Sequence, residues 1–157
     1  MQSSSNLPNV VLLDRITDPH NVGAILRSAE VFGASAVLGT KHHSAPETGA
    51  LAKAASGALE RQPYIRVRNL ADTILELKKM GFVALGLDAT GERDISDAAK
   101  LYFDRPIALV MGAEGPGLRS RTKEVVDELV RIKPVSSFGS LNVSNAAAVG
   151  LHSITAL

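Results

Sequence analysis

Ile107-Ala108-Leu109-Val110-Met111, running directly into Gly112-Ala113-Glu114-Gly115-Pro116-Gly117-Leu118, decides the fold class of this 157-residue chain. Five consecutive apolar residues without alternation are the pattern of a central strand covered on both faces. Such a strand delivers the loop that follows it to the carboxyl edge of a sheet, where ligands of open α/β folds bind. Glycines let that loop turn sharply and approach a ligand closely. Glu114 within it would repel the phosphates that glycine-rich loops usually cradle. A cationic, partly apolar ligand fits better, and a sulfonium methyl donor is one candidate.

Outward from this strand, further apolar runs lie at Val10 to Leu13, Ala36 to Leu38, Tyr64 to Val67, Phe82 to Leu87 and Leu129 to Ile132. They alternate with segments of helical periodicity, which places the chain in the α/β class. Leu70, Ile74, Leu77 and Met80 form one helix stripe, with Asp72, Glu76, Lys78 and Lys79 on the other faces and Gly81 as terminator. The last segment, Asn142 to Leu157, sets Val143, Ala147, Gly150 or Leu151, and Ile154 on one side, with Ala146 to Ala148 slim enough for close packing.

The composition, 45% hydrophobic with no cysteine and no tryptophan, supplies one domain with its own core. Thiolate metal sites and cysteine nucleophiles are excluded. No apolar stretch is long enough to span a membrane, and Met1-Gln2-Ser3-Ser4-Ser5-Asn6 lacks the regions of a signal peptide, so a cytoplasmic location is expected. The net charge of +1 hides a local excess: Lys41, Lys53, Arg61, Arg66 and Arg68 stand between Gly39 and Arg68 against only Glu47 and Glu60. Such a cluster is either a solvated face or a surface for polyanions.

Three constellations bear chemistry. Asp18-Pro19-His20-Asn21-Val22-Gly23-Ala24-Ile25-Leu26-Arg27 is a polar turn entering a helix, with Asp18 and Pro19 suited to cap and open it. Asn21 and Arg27 do not share one helix face but can border one pocket at different heights. In the second, Gly112, Gly115 and Gly117 do not make the Gly-x-Gly-x-x-Gly dinucleotide fingerprint, which disfavours a nicotinamide oxidoreductase. In the third, Ser140-Leu141-Asn142-Val143-Ser144-Asn145, the polar residues are either caps of the last helix or ligands. The four histidines lack metal-ligand spacings.

Taken in order, the Asp18 to Arg27 segment, Val110 to Leu118 and Ser140 to Ser144 resemble the three motifs of the SpoU/TrmH family of RNA ribose 2′-O-methyltransferases. Ala55-Ser56-Gly57-Ala58-Leu59-Glu60 and Ile65-Arg66-Val67-Arg68-Asn69-Leu70 look most like the branch that methylates a guanosine of 23S ribosomal RNA. The resemblance runs from about Val10 to the end. It implies a catalytic domain over residues 9–157 behind a linker or tail at 1–8, and a mostly parallel sheet flanked by helices. It also implies a C-terminal part threaded into a trefoil knot, and a homodimer whose RNA pocket draws on both subunits.

The cofactor so implied is S-adenosylmethionine, held near Leu87 to Ala89, at Gly112 and from Ile132 to Asn142, with Gly112, Ile132 and Leu141 in contact. No metal is required. Arg27 would act on the ribose hydroxyl, either as a base of altered pKa or as an electrostatic clamp on the oxygen and adjacent phosphate. Asn21 and Glu114 would orient Arg27 and the ribose, and Ser140 and Asn142 would position phosphate or hydroxyl. Alternatives are a tRNA ribose as substrate, or a non-catalytic RNA-binding or assembly module. Many relatives of this branch carry an additional N-terminal RNA-binding domain. Here the expectation is a catalytic fragment, or else RNA held by the Gly39 to Arg68 cluster with Arg119, Arg121 and Lys123.

Overall fold

The computed structural model describes residues 7–113, 115–136 and 141–156. Along the chain these form β1 (Val10–Asp14), α1 (Pro19–Val31), β2 (Ala36–Thr40), α2 (Gly49–Ala55), α3 (Ala58–Arg61), β3 (Tyr64–Val67) and α4 (Leu70–Lys79). There follow β4 (Val83–Leu87), β5 (Arg93–Asp94), α5 (Ile95–Leu101), β6 (Ile107–Gly112), α6 (Ser120–Val125), β7 (Glu128–Arg131) and α7 (Val143–Thr155). The strands lie in the order β3-β2-β1-β6-β4-β7-β5, and every pairing is parallel. The α/β expectation holds, and each apolar run falls in a strand.

β6 occupies the centre, as its unbroken apolar run requires. It pairs with β1 from Val10↔Ala108 to Asp14↔Gly112 and with β4 from Val83↔Ile107 to Leu87↔Met111. Ile107, Leu109 and Met111 project into one core with residues of α1, α2, α5 and α7, while Ala108 and Val110 project into a second core with residues of α4 and α6. Burying each larger aliphatic side chain stabilises by about 1.5–3 kcal/mol, so both layers are fixed to the same strand.

β1, β2 and β3 step outward on one side of β6, whereas β4 and β7 lie on the other. The strand order therefore reverses around β6, between β1 and β4, and open sheets bind ligands outside the carboxyl ends of strands at such a switch point. Asp18 caps α1 there, its carboxylate accepting from the His20 amide at 2.9 Å, with Pro19 as first helical residue. α1 meets α2 so closely that a Cβ at Gly23 would lie 2.5 Å from the Leu51 carbonyl oxygen.

One helix reading needs correction. Leu70 and Ile74 are buried and Leu77 packs on the second core, but Met80 is 70% exposed. It is the C-cap of α4, and at about 100° per residue it falls roughly 80° off the Leu70 stripe. The two-residue β5 carries no periodic signal, and its pairing with β7 comes from tertiary placement.

Candidate active site

Parallel strands bring their carboxyl ends to one edge, and that edge gathers the motifs. Asp14 ends β1 beside Gly112 at the end of β6, and Leu87 ends β4 between Met111 and Val130. Ile132 follows β7 directly, half-buried against the first core. The next residue, Lys133, donates its amide to Asp94 at 3.1 Å, which ties this exit to the start of α5.

The loop after Gly112 folds back on itself. Ala113 and Gly117 form an antiparallel bridge, and the Gly117 amide donates to the Ala113 carbonyl at 2.8 Å. Gly115 and Gly117 adopt φ of 81° and 71°, values that side-chain-bearing residues rarely accept. At Gly112 a Cβ would fall 2.4 Å from the Gly117 carbonyl carbon and 2.5 Å from the Leu118 nitrogen. The close backbone approach therefore requires glycine.

Two carboxylates brace this loop: Asp14, which the sequence did not single out, and Asp88, within the Leu87 to Ala89 stretch but not named individually. Asp14, with no exposure, accepts from the Arg119 amide at 2.9 Å and from its Nε at 2.7 Å. Asp88, just past β4, accepts from the Thr90 amide at 2.9 Å and hydroxyl at 2.6 Å, with Lys123 Nζ 3.7 Å away. The sequence signal for each is slight: a carboxylate placed directly after an apolar run.

Burial pushes the Asp88 carboxyl up, but the Thr90 hydroxyl and amide, the Lys123 charge and the Leu118 amide together outweigh it and hold it below its ordinary 3.8. A depressed carboxylate contributes stability above its unfolded pKa and loses it as pH falls through the folded value. The melting temperature of wild type should therefore exceed that of Asp88→Asn above pH 3.8, with the gap closing on further acidification. Thermal melts across an acid series check this, and a gap that persists undiminished at the acid end refutes it.

The two helices that carry the remaining residues start at the same edge. α1 runs back from the end of β1, and Phe32 at its far end makes an edge-to-face contact with His152, ring centroids 5.8 Å apart. His152 lies in the last turn of α7, so α7 also begins at the carboxyl edge. Gly150 seats α7 on β6, where an added Cβ would be 3.0 Å from Leu109 Cδ2. Asn142 is the N-cap of α7 and accepts from the Ser144 amide at 2.8 Å and hydroxyl at 2.5 Å. The capping reading of Asn142 thus holds. Leu141, just before it, is 48% exposed.

Asn21 sits in the first turn of α1, half-buried. Arg27 is exposed six residues farther along, roughly 9 Å down the helix, and makes no hydrogen bond or ion pair with another described residue. Gly112, Ile132, Leu141, Asn142 and Asn21 thus gather at the edge, with Arg27 below it on α1. Glu114 and Ser140 lie outside the described residues. Among the described residues no three His, Asp or Glu side chains are grouped as a metal site, and no helix is long and apolar enough to cross a membrane.

Residues 8–152 match the model of the SpoU rRNA Methylase family. The chain is 48% identical over 144 residues to a 23S rRNA (guanosine-2′-O-)-methyltransferase of Ralstonia nicotianae, an alignment covering 92% of this chain and 57% of that protein. The chain therefore spans less than two thirds of the curated relative. Among solved structures, the SpoU methyltransferase AviRb of Streptomyces viridochromogenes in complex with AdoMet superposes with a TM-score of 0.83 at 28% identity, over 99% of this chain and 62% of that one. An AdoMet-bound rRNA methyltransferase of Sinorhizobium meliloti gives 0.84 at 25% identity, over 97% of this chain and 57% of that one.

Proposed function

Because the chain belongs to the SpoU rRNA methylase family, we propose that it transfers a methyl group from S-adenosylmethionine to a ribose 2′-hydroxyl of RNA, a guanosine of 23S ribosomal RNA. The observation that carries this reading is the convergence at one sheet edge of the Gly112 loop, the exits of β4 and β7, and the starts of α1 and α7. The donor supplies an electrophilic methyl on a sulfonium centre. Gly112, Ile132 and Leu141 would hold it, and their character fits: a backbone cradle that a Cβ would fill, with apolar side chains beside it.

The chain's own task is positioning. Holding a weak ribose nucleophile against the methyl group in near-attack geometry supplies up to roughly 7–11 kcal/mol of acceleration. Arg27 presents five N–H donors on an exposed guanidinium, suited to stabilise developing charge on the 2′-oxygen and to hold the adjacent phosphate. Asn21, with Glu114, would orient the ribose and Arg27. Asn142, with Ser140, would position phosphate or hydroxyl, although its side chain also caps α7.

Residues 9–157 act in this reading as the catalytic domain, working in the cytoplasm as a homodimer. Exposed Val31 on α1 and Val149 on α7 favour a partner on that face. A trefoil knot is supported by chain path. β7 lies beyond β4, whereas α7 packs on α1, α5 and β6.

The test pairs calorimetry with a labelled methyl donor. S-adenosylhomocysteine should bind while a nicotinamide dinucleotide does not, and label should enter a ribose of 23S RNA. Binding of S-adenosylhomocysteine without any ribose labelling would reduce the chain to a non-catalytic module. Failure to bind it would remove the methyltransferase reading altogether.

A further inference from the structure

Three adjacent strands each end in a cationic or imidazole side chain. Arg15 follows β1, His42 and His43 follow β2, and Arg68 follows β3. At about 4.8 Å between strands, these form a row roughly 10 Å long. Arg119 and Arg121, from the segment after β6, close its other wall, and the whole encloses a cleft of about 310 Å³. The cleft opens at the same carboxyl edge as the Gly112 loop but on the α4 and α6 face of the sheet, away from α1 and α7.

Hydrogen bonding separates the arginines of this region into structural and available ones. Arg61 is spent on Glu30, with contacts of 2.5 and 2.8 Å. Arg66 donates to Ser44 at 3.1 Å and to the Ala45 carbonyl at 2.8 Å while lying over the Tyr64 ring. Neither lines the cleft, so the Gly39 to Arg68 cluster expected from sequence is not one surface. Arg15 and Arg68 are exposed and have no hydrogen-bonding or ion-pair partner among the described residues. Arg121 meets only the exposed Glu124 at 3.4 Å. The buried Asp14 orients Arg119, whose side chain remains 42% exposed. Arg15 and His43 also hold φ of 61° and 56°, conformations that side-chain-bearing residues rarely adopt and that gather at functional sites.

We infer that this cleft is a binding site for the phosphate backbone of the RNA strand, flanking the nucleotide that is methylated. The inference rests on the methyltransferase reading for the identity of the strand, not for the chemistry of the cleft. Guanidinium forks match phosphate oxygens, and a lining that carries Arg15, Arg68, Arg119 and Arg121 with His42 and His43 and no carboxylate favours a polyanion. From β2 to β4 is three strand spacings, about 14 Å. The phosphates held here therefore lie farther along the strand than the reacting ribose. A strand reaching from the starts of α1 and α7 crosses the carboxyl edge of β1 and enters the cleft.

The experiment titrates a labelled single-stranded oligoribonucleotide into wild type, Arg68→Ala/Arg121→Ala, and a control of equal charge loss, Lys79→Ala/Lys100→Ala, over a salt series. All four side chains are exposed, so the variants should fold. The arginine pair is expected to weaken binding about tenfold and to reduce the slope of log affinity against log salt by about 1.4, at about 0.7 per phosphate contact. The lysine pair should change little. Equal losses for the two pairs, or displacement of the oligonucleotide by poly-glutamate as readily as by unlabelled RNA, would overturn the inference. S-adenosylhomocysteine titrations of the same proteins keep the two readings apart. If wild type does not bind S-adenosylhomocysteine, the methyltransferase reading fails, and the cleft is still judged on the RNA titration.

Discussion

Arg27→Ala is expected to lower methyl transfer to RNA by a factor of about 10² to 10³, the usual loss when one donor aimed at developing charge is removed. The affinity for S-adenosylhomocysteine should stay within about twofold of wild type, because Arg27 lies on the exposed face of α1 while Gly112, Ile132 and Leu141 lie at the sheet edge. The fold should also be kept. The core contacts of α1 come from Val22, Ile25, Leu26 and Ala29, and Arg27 forms no hydrogen bond with another described residue. Single-turnover transfer, measured beside a cofactor titration, reads both quantities. An alanine variant that transfers methyl groups at the wild-type rate removes Arg27 from the chemistry. A lysine variant adds detail: it keeps the charge but loses the planar fork, so partial rescue indicates charge stabilisation and no rescue indicates a geometric requirement.

The sheet was legible where hydrophobicity was unambiguous. Ile107 to Met111 announced a doubly covered strand because no polar residue interrupts it, and β6 is the central strand with both neighbours parallel. The helix stripe from Leu70 failed only at Met80, where the helix had already ended. Strand order was not legible. Nothing in a one-dimensional pattern says that β6 inserts between β1 and β4, and it is this insertion that brings Asp14 beside Gly112.

The site was legible in parts for the same reason. Gly112 and Asn142 lie at a strand end and a helix start, positions with local signatures. The Gly39 to Arg68 cluster, open from charge as a solvated face or a polyanion surface, divides in the structure because charge alone does not reveal partners. Glu30 takes up Arg61 from 31 residues away, and Tyr64 with Ser44 and Ala45 takes up Arg66. Arg15, which carried no sequence signal, instead joins Arg68 through the adjacency of β1, β2 and β3.

Gly112→Ala carries the second large effect. The atoms nearest to an added Cβ are the carbonyl carbon, the carbonyl oxygen and the amide nitrogen of the Gly117 to Leu118 step, at 2.4, 2.7 and 2.5 Å. None belongs to a flexible side chain, so the backbone itself must move. The bridge between Ala113 and Gly117 would have to open, or the end of β6 to pull away from Asp14. Overpacking of this kind costs about 1–3 kcal/mol, and each kcal/mol lowers the melting temperature by about 2–4 °C for a chain of this size. The larger loss is in the ligand: a loop displaced by even an ångström no longer presents its backbone to the donor, and S-adenosylhomocysteine affinity should fall at least about tenfold. Gly49→Ala is the matched comparison, since an added Cβ there meets nothing within 4 Å and the position opens α2. It should leave both cofactor affinity and melting temperature close to wild type. If Gly112→Ala binds S-adenosylhomocysteine as tightly as Gly49→Ala does, the loop after β6 is not the cradle, and the convergence of motifs at this edge serves some other ligand.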